Sequence, residues 1–189
     1  GWLVYAIGRG AVHHNLIRNN WNDVAIGAAK AVINNTIVSQ GKGYGVYDAK
    51  GVVFNNIIAR VNLSSIANSS AATVDYNNVI ANGGTENYPG PHGLTTDPLF
   101  VDTANGDYSL QSTSPCINAG NPDPSYNDPD GSCNDMGAFP SISNTPYVAT
   151  FAVTSEVIDH VVSHLPTFAF TMFSPNQPIC DSLQFEVGT

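Results

Sequence analysis

The chain has 189 residues, of which 42% are hydrophobic and only 11% are charged. That length supports a buried core, and that composition is too apolar for a disordered polar chain. The net charge of −9 is unevenly placed. All six Lys and Arg lie before residue 61, opposed there only by Asp23 and Asp48, and the remainder carries 13 acidic residues and no Lys or Arg. An acidic surface of this kind repels nucleic acid and attracts divalent cations. No apolar run reaches the length of a membrane span. Residues 1–7 lack the basic start and cleavage site of a signal peptide. They already read as a strand, so the chain is expected to begin inside a larger parent protein.

One element recurs along the first half. Val12-His13-His14-Asn15-Leu16-Ile17 returns as Val32-Ile33-Asn34-Asn35-Thr36-Ile37, as Val53-Phe54-Asn55-Asn56-Ile57-Ile58 and as Asp75-Tyr76-Asn77-Asn78-Val79-Ile80. The last Asn of each copy is Asn15, Asn35, Asn56 and Asn78, in steps of 20, 21 and 22 residues. A period this regular predicts a stacked solenoid. Ile17, Ile37, Ile58 and Ile80 follow each Asn by two places, and a second apolar run precedes it by about ten. Each period therefore holds at least two short strands separated by Gly, Ala, Ser and Asn turns. The apolar spacing and the β-branched content do not fit a helix. Stacked copies would pair in parallel, with apolar residues inward and the four Asn side chains in a ladder.

These coils resemble the right-handed parallel β-helix repeats of secreted bacterial proteins. Residues 96–140 then break the period. Their order Asp97-Pro98-Leu99-Phe100, Tyr108-Ser109-Leu110, Ser114-Pro115-Cys116-Ile117-Asn118-Ala119-Gly120 and Asp135-Met136-Gly137-Ala138 is similar to the closing segment of that group. The resemblance implies a C-terminal cap, with Phe100, Tyr108, Leu110, Ile117 and Phe139 plugging the open end of the solenoid. It also implies a bacterial extracellular or cell-surface location. Residues 141–189 read as a linker followed by strands at 148–153, 159–164, 167–173 and 183–187. They resemble the start of a fibronectin-like or immunoglobulin-like sandwich, which at about 100 residues is longer than what is present. The expected fold is all-β: a β-helix of about four coils over 1–140, with its cap at 96–140, and a partial sandwich over 141–189. The tail strands would pair with the rest of the parent chain or with another copy.

Candidate sites lie where the repeat is broken. Asp123, Asn127, Asp128, Asp130 and Asp135 supply hard oxygen donors around Gly131, a composition that suits Ca²⁺, although no EF-hand pattern is present. The alternative is a loop held by its own side-chain-to-backbone hydrogen bonds. For Asp135 the resemblance implies a bracing role through backbone N–H groups. Cys116 and Cys133 flank this loop and fit either a disulfide or two structural thiols. Asp48 and Lys50 share one turn and are the weak catalytic candidates, for polysaccharide lyase or glycoside hydrolase chemistry. Lys30 lies one coil before Lys50. Trp21, Tyr44 and Tyr47 are candidates for stacking on sugar rings. His13 and His14 are adjacent on a strand, so alternation sends them to opposite faces and argues against a shared metal. His160 and His164 lack the Glu of a zinc-protease motif.

The reading is a carbohydrate-contacting or scaffold module without complete catalytic machinery of its own. Its rivals are a fragment of a polysaccharide lyase or glycoside hydrolase, and a structural subunit that assembles through its C-terminal strands.

Overall fold

The computed structural model describes residues 2–5, 10–18, 23–38, 43–141, 150–152 and 169–171. Three strands recur in each period. β1 (Trp2–Tyr5), β2 (Ala11–His13) and β3 (Leu16–Arg18) come first, followed by β4 (Val24–Gly27), β5 (Ala31–Ile33) and β6 (Thr36–Val38). Next are β7 (Tyr44–Tyr47), β8 (Val52–Phe54) and β9 (Ile57–Ala59), then β10 (Ile66–Ala67), β11 (Thr73–Asp75) and β12 (Asn78–Ile80). Each strand pairs in parallel with its counterpart one period away. The result is three four-stranded sheets: β1-β4-β7-β10, β2-β5-β8-β11 and β3-β6-β9-β12. This is a stacked parallel β-solenoid of the β-helix kind.

Period-2 alternation within each short strand selects the interior. Val12, Val32, Val53 and Val74 align in one column, and Ile17, Ile37, Ile58 and Val79 in another. Val12, Val32, Val53, Ile17, Ile37 and Ile58, with Ile26, Val46 and Ile66, form one continuous core, against which Val74 packs. The chain turns between strands at residues in the left-handed region. His14, Asn34, Asn55 and Tyr76 have φ between 51° and 59° at the corner leading into the third sheet. Ala28, Asp48 and Asn68 occupy the same conformation at the corner leading into the second. Asn and Asp tolerate it better than most residues.

The two Asn of each pair therefore have separate tasks. The first is the corner, and the second carries the ladder. Oδ1 of Asn35 accepts both the backbone N–H and Nδ2 of Asn15, each at 3.1 Å. Asn56 Oδ1 does the same for Asn35, at 2.9 and 3.0 Å. Nδ2 of Asn56 also donates to the carbonyls of Val32 and Phe54. Where Asn78 was expected, the ladder runs through Asn77, whose Oδ1 accepts from Asn56 N–H and Nδ2 at 3.0 and 2.9 Å. In the last copy Tyr76 takes the corner, so the whole copy is shifted by one residue. Asn78 pairs in register with Ile57, and Asp75 with Phe54. Asn78 Nδ2 reaches the Thr96 carbonyl and Cys116 Sγ.

Residues 96–141 do not plug the solenoid end. They lie along the outer face of the third sheet. Tyr108 packs on Val38 and Ala59, joined by Phe100, and Met136 and Cys116 pack on Ile57, joined by Leu110. Ile117 is half-buried and Phe139 is exposed. The sequence of the third sheet explains this. Thr36–Val38 and Ile57–Ala59 are buried at every position, and a sheet apolar on both faces needs a second cover. Gly137 makes the close approach: at φ 103°, a Cβ there would lie 2.9 Å from the side chains of both Ile57 and Thr36. Asn34 Nδ2 donates to the carbonyls of Asp135 and Gly137, and Ala138 N–H to Thr36 Oγ1. β13 (Phe100–Asp102) and β14 (Asp107–Leu110) form an antiparallel pair within this cover.

The axial end is closed instead by residues 83–94. Pro89 O accepts from Asn77 N–H, Glu86 O from Ile66 N–H and Leu94 O from Val79 N–H. Gly90 packs on the last strand, where a Cβ would fall 2.2 Å from Asp75 Cα. In the tail, β15 (Thr150–Ala152) and β16 (Ala169–Thr171) pair antiparallel. The other tail strands expected from sequence lie outside the described residues.

Asn56→Ala should lower stability by about 2–4 kcal/mol, because it strands buried donors and acceptors on two neighbouring turns. Asn15→Ala, at an exposed rung, should cost less than about 1 kcal/mol. Urea denaturation measures both, and equal losses would contradict a ladder whose strength comes from burial.

Candidate functional site

The outer face of the first sheet carries an aromatic pair. β7 reads Tyr-Gly-Val-Tyr, and Val46 lies in the core. Tyr44 and Tyr47 are both half-buried, with ring centroids 5.1 Å apart and planes at 50°. Tyr47 is flanked across the sheet by the small residues Gly27 and Ala67. Trp21, the third aromatic candidate, lies outside the described residues.

The next residue, Asp48, sits at a left-handed corner with φ 60°. Its Oδ1 receives the Lys50 ammonium in a close ion pair. The same oxygen accepts weakly from Asn68 Nδ2 at 3.4 Å. Asn68 N–H in turn points at Glu86 Oε1, also at 3.4 Å. Asp48, Asn68 and Glu86 thus form a polar row beside the tyrosines, running from one rung to the next. Glu86 also borders an open pocket of about 600 Å³ at the axial end, floored by Ile66, Ala72 and Val74 and edged by Thr85 and Tyr88. Lys30 is exposed one rung earlier.

The acidic loop is organised by its own backbone. Asp123 caps a short 3₁₀ turn at Pro124–Tyr126 by accepting from Ser125 N–H. Asp130 accepts from Ser132 N–H and Oγ. Asp128 accepts from Asp135 N–H at 3.0 Å. Asp135 accepts from Asn118 N–H at 2.7 Å and from Ser141 N–H at 2.6 Å, the bracing arrangement. Asn127 closes the 3₁₀ turn through its backbone N–H. Among the described residues, no group of three or more His, Cys, Asp or Glu side chains is arranged to hold a metal.

Asp128 and Asp135 are both buried. Burial first, then the neighbouring Asp135 carboxylate, pushes Asp128 up to about 7. Burial also raises Asp135, against the pull of its hydrogen bonds from Ser141 and Asn118. The donors around Asp135 favour its ionised form more than the single backbone N–H at Asp128 favours that of Asp128.

Cys116 and Cys133 are not bridged to each other. Cys116 is a free buried thiol, and Cys133 is disulfide-bonded to a different partner. Cys116 sits under the cover with Sγ 2.9 Å from Asn78 Nδ2, and burial pushes its thiol up to about 11. At that value it is unreactive at neutral pH.

One cluster was not singled out from sequence. Asp75 accepts from His92 N–H at 2.8 Å and contacts His92 Nδ1 at 2.8 Å, and the imidazole stacks on Tyr76 at 4.8 Å. Burial acts upward on Asp75, but the hydrogen bonds from His92 and Tyr76 outweigh it and hold the carboxyl low. This cluster clips the end-closing segment to β11. Its trace in the sequence is an acid in the column held in the earlier turns by His13, Ile33 and Phe54. His13 and His14, which strand alternation would send to opposite faces, instead bring their Nδ1 atoms to within 3.2 Å. Burial, then His13, lowers the His14 imidazole.

No helix among the described residues is long and apolar enough to cross a membrane. Comparison with family models, curated proteins and solved structures found no match.

The raised Asp128 makes a pH prediction. Its folded pKa lies above the unfolded value, so its favourable contribution is complete below about pH 4 and is lost as pH rises through about 7. Asp128→Asn keeps an acceptor for Asp135 N–H and removes the charge. The variant should lose this decline and be more stable near pH 8, by on the order of 2–4 kcal/mol. Thermal melts from pH 4 to 8 check this, and superimposable profiles would refute it.

Proposed function

We propose that this chain is a carbohydrate-contacting scaffold module of a larger bacterial protein, extracellular or on the cell surface. In this reading it is a right-handed β-helix of about four coils, followed by the opening strands of a fibronectin-like or immunoglobulin-like sandwich. The observation that carries the reading is the Tyr44–Tyr47 pair on the outer face of the first sheet. Aromatic faces pack against the C–H faces of sugar rings while their hydroxyls and neighbours serve the sugar hydroxyls. The Asp48–Asn68–Glu86 row supplies those neighbours. Its groups advance with the rungs, about 4.8 Å per step along the axis, so an extended glycan lying parallel to the axis meets one group after another. Lys50 is neutralised by Asp48, which favours a neutral glycan over an anionic one. A lyase would need that lysine free as a proton abstractor, so the ion pair also supports a module over an enzyme.

Pull-down on insoluble cellulose, chitin and xylan tests the proposal. At least one should bind, and Tyr47→Ala should weaken binding about tenfold, the equivalent of about 1.4 kcal/mol for one ring contact. Binding unchanged in both Tyr44→Ala and Tyr47→Ala would overturn it. Release of reducing ends that disappears in Asp48→Asn would establish the enzyme reading instead.

A further inference from the structure

We propose that His13 and His14 form a two-nitrogen site for a transition-metal dication, Zn(II), Cu(II) or Ni(II), bound through their two Nδ1 atoms. Strand alternation would separate adjacent side chains, but His14 is not in strand conformation. Its φ of 54° makes it the corner residue, and the left-handed turn swings its ring back beside that of His13. The Nδ1 atoms then lie 3.2 Å apart. The ring centroids lie 5.5 Å apart, with the planes at 84°. One ring must donate a proton to the other for this contact to be favourable. A metal ion can take the place of that proton. Zn–N bonds of 2.0–2.1 Å at a tetrahedral angle separate two nitrogens by about 3.3 Å, and a square-planar cis pair by about 2.9 Å. The observed spacing falls between them, so the rings need only tilt.

The backbone beneath is already fixed. His14 N–H donates to Asn34 O at 2.9 Å, and His13 O accepts from Asn15 Nδ2 at 2.8 Å. Both rings are exposed, so ordering them displaces no packing. An all-imidazole donor set selects Zn, Cu and Ni over Ca and Mg. Two protein nitrogens leave at least two positions for water or an exogenous ligand. The site does not repeat along the solenoid, because Asn34, Asn55 and Tyr76 hold the equivalent corners and Asn34 is engaged by the lateral cover.

Calorimetric titration of the full chain with Zn(II) and with Cu(II) at neutral pH tests the site. One binding equivalent is expected. It should weaken on the order of tenfold or more in either His13→Ala or His14→Ala, as when one of two ligands is lost. It should persist in His92→Ala and in the double variant His160→Ala/His164→Ala. Imidazole ¹⁵N NMR with Zn(II) should move the Nδ1 resonances of residues 13 and 14. Absence of binding, affinity unchanged from the parent chain in either single variant, or coordination through Nε2 would overturn the proposal. Circular dichroism of each variant separates a lost site from a lost fold.

Discussion

A single hydrogen-bond motif holds the turns of this solenoid in register. An Asn side chain accepts the backbone N–H and the side-chain amide of the preceding turn, and donates to the next Asn and to strand-end carbonyls. Strands of two to four residues have few ladder hydrogen bonds of their own, and every sharp corner between them exposes peptide groups. The amide satisfies those groups inside the wall, where water does not reach: Asn35, Asn56 and Asn77 are each fully buried. Burial raises the cost of losing any one of these bonds. The apolar columns drive collapse, but they tolerate sliding of one apolar residue past another. The amides do not, since a slip by one residue would leave both partners unsatisfied.

A second constraint follows from the third sheet. Its strands are apolar on both faces, so the solenoid interior satisfies only half of their demand. The segment over residues 96–141 answers the other half from outside. Polar anchors fix its position: Asn34 and Asn55 reach from the corners to Asn134 and Asn121. Corner asparagines thus have two uses, a tolerated backbone conformation and a hand extended to the cover. Asp135 holds the far end of the cover together by collecting N–H groups from Asn118 and Ser141. The first sheet has no such cover among the described residues, and there the partly exposed tyrosines lie.

Much of this architecture is legible in the sequence, because periodicity and residue chemistry point the same way. The solenoid, the inward columns and the existence of an Asn ladder all follow from residues 12–80. The register of the last copy does not. Asn77 and Asn78 are chemically identical in a string of letters, and only the hydrogen-bond partners tell which one is the rung and which one faces the cover. The place of the cover is not legible for a related reason. Phe100 and Tyr108 announce an apolar surface to be buried, but not whether that surface meets an end or a side. The clue was the unbroken apolar run of Ile57–Ala59, which signals burial on both faces. His14 shows the limit of strand alternation: the rule holds only while the backbone stays extended, and a corner one residue away reverses the geometry. Cys116 and Cys133 illustrate another limit, since a flanked loop suggests a bridge but cannot fix which thiols meet.

Pro89 gives the ladder its end. Its carbonyl, 3.1 Å from both Asn77 N and Asn77 Nδ2, accepts the same two donors that an asparagine Oδ1 accepts at every earlier step. A main-chain carbonyl thereby impersonates the amide of a further turn. Chain growth by stacking is in this sense a polymerisation with a built-in terminator, and the terminator is a loop carbonyl, not a special side chain. Length in such a wall is then a local decision. An evolutionary insertion of further turns between Asn56 and Asn77 would need no change in the ladder bonds of either neighbour, since each rung offers the preceding one the same acceptor and the last one still donates to Pro89.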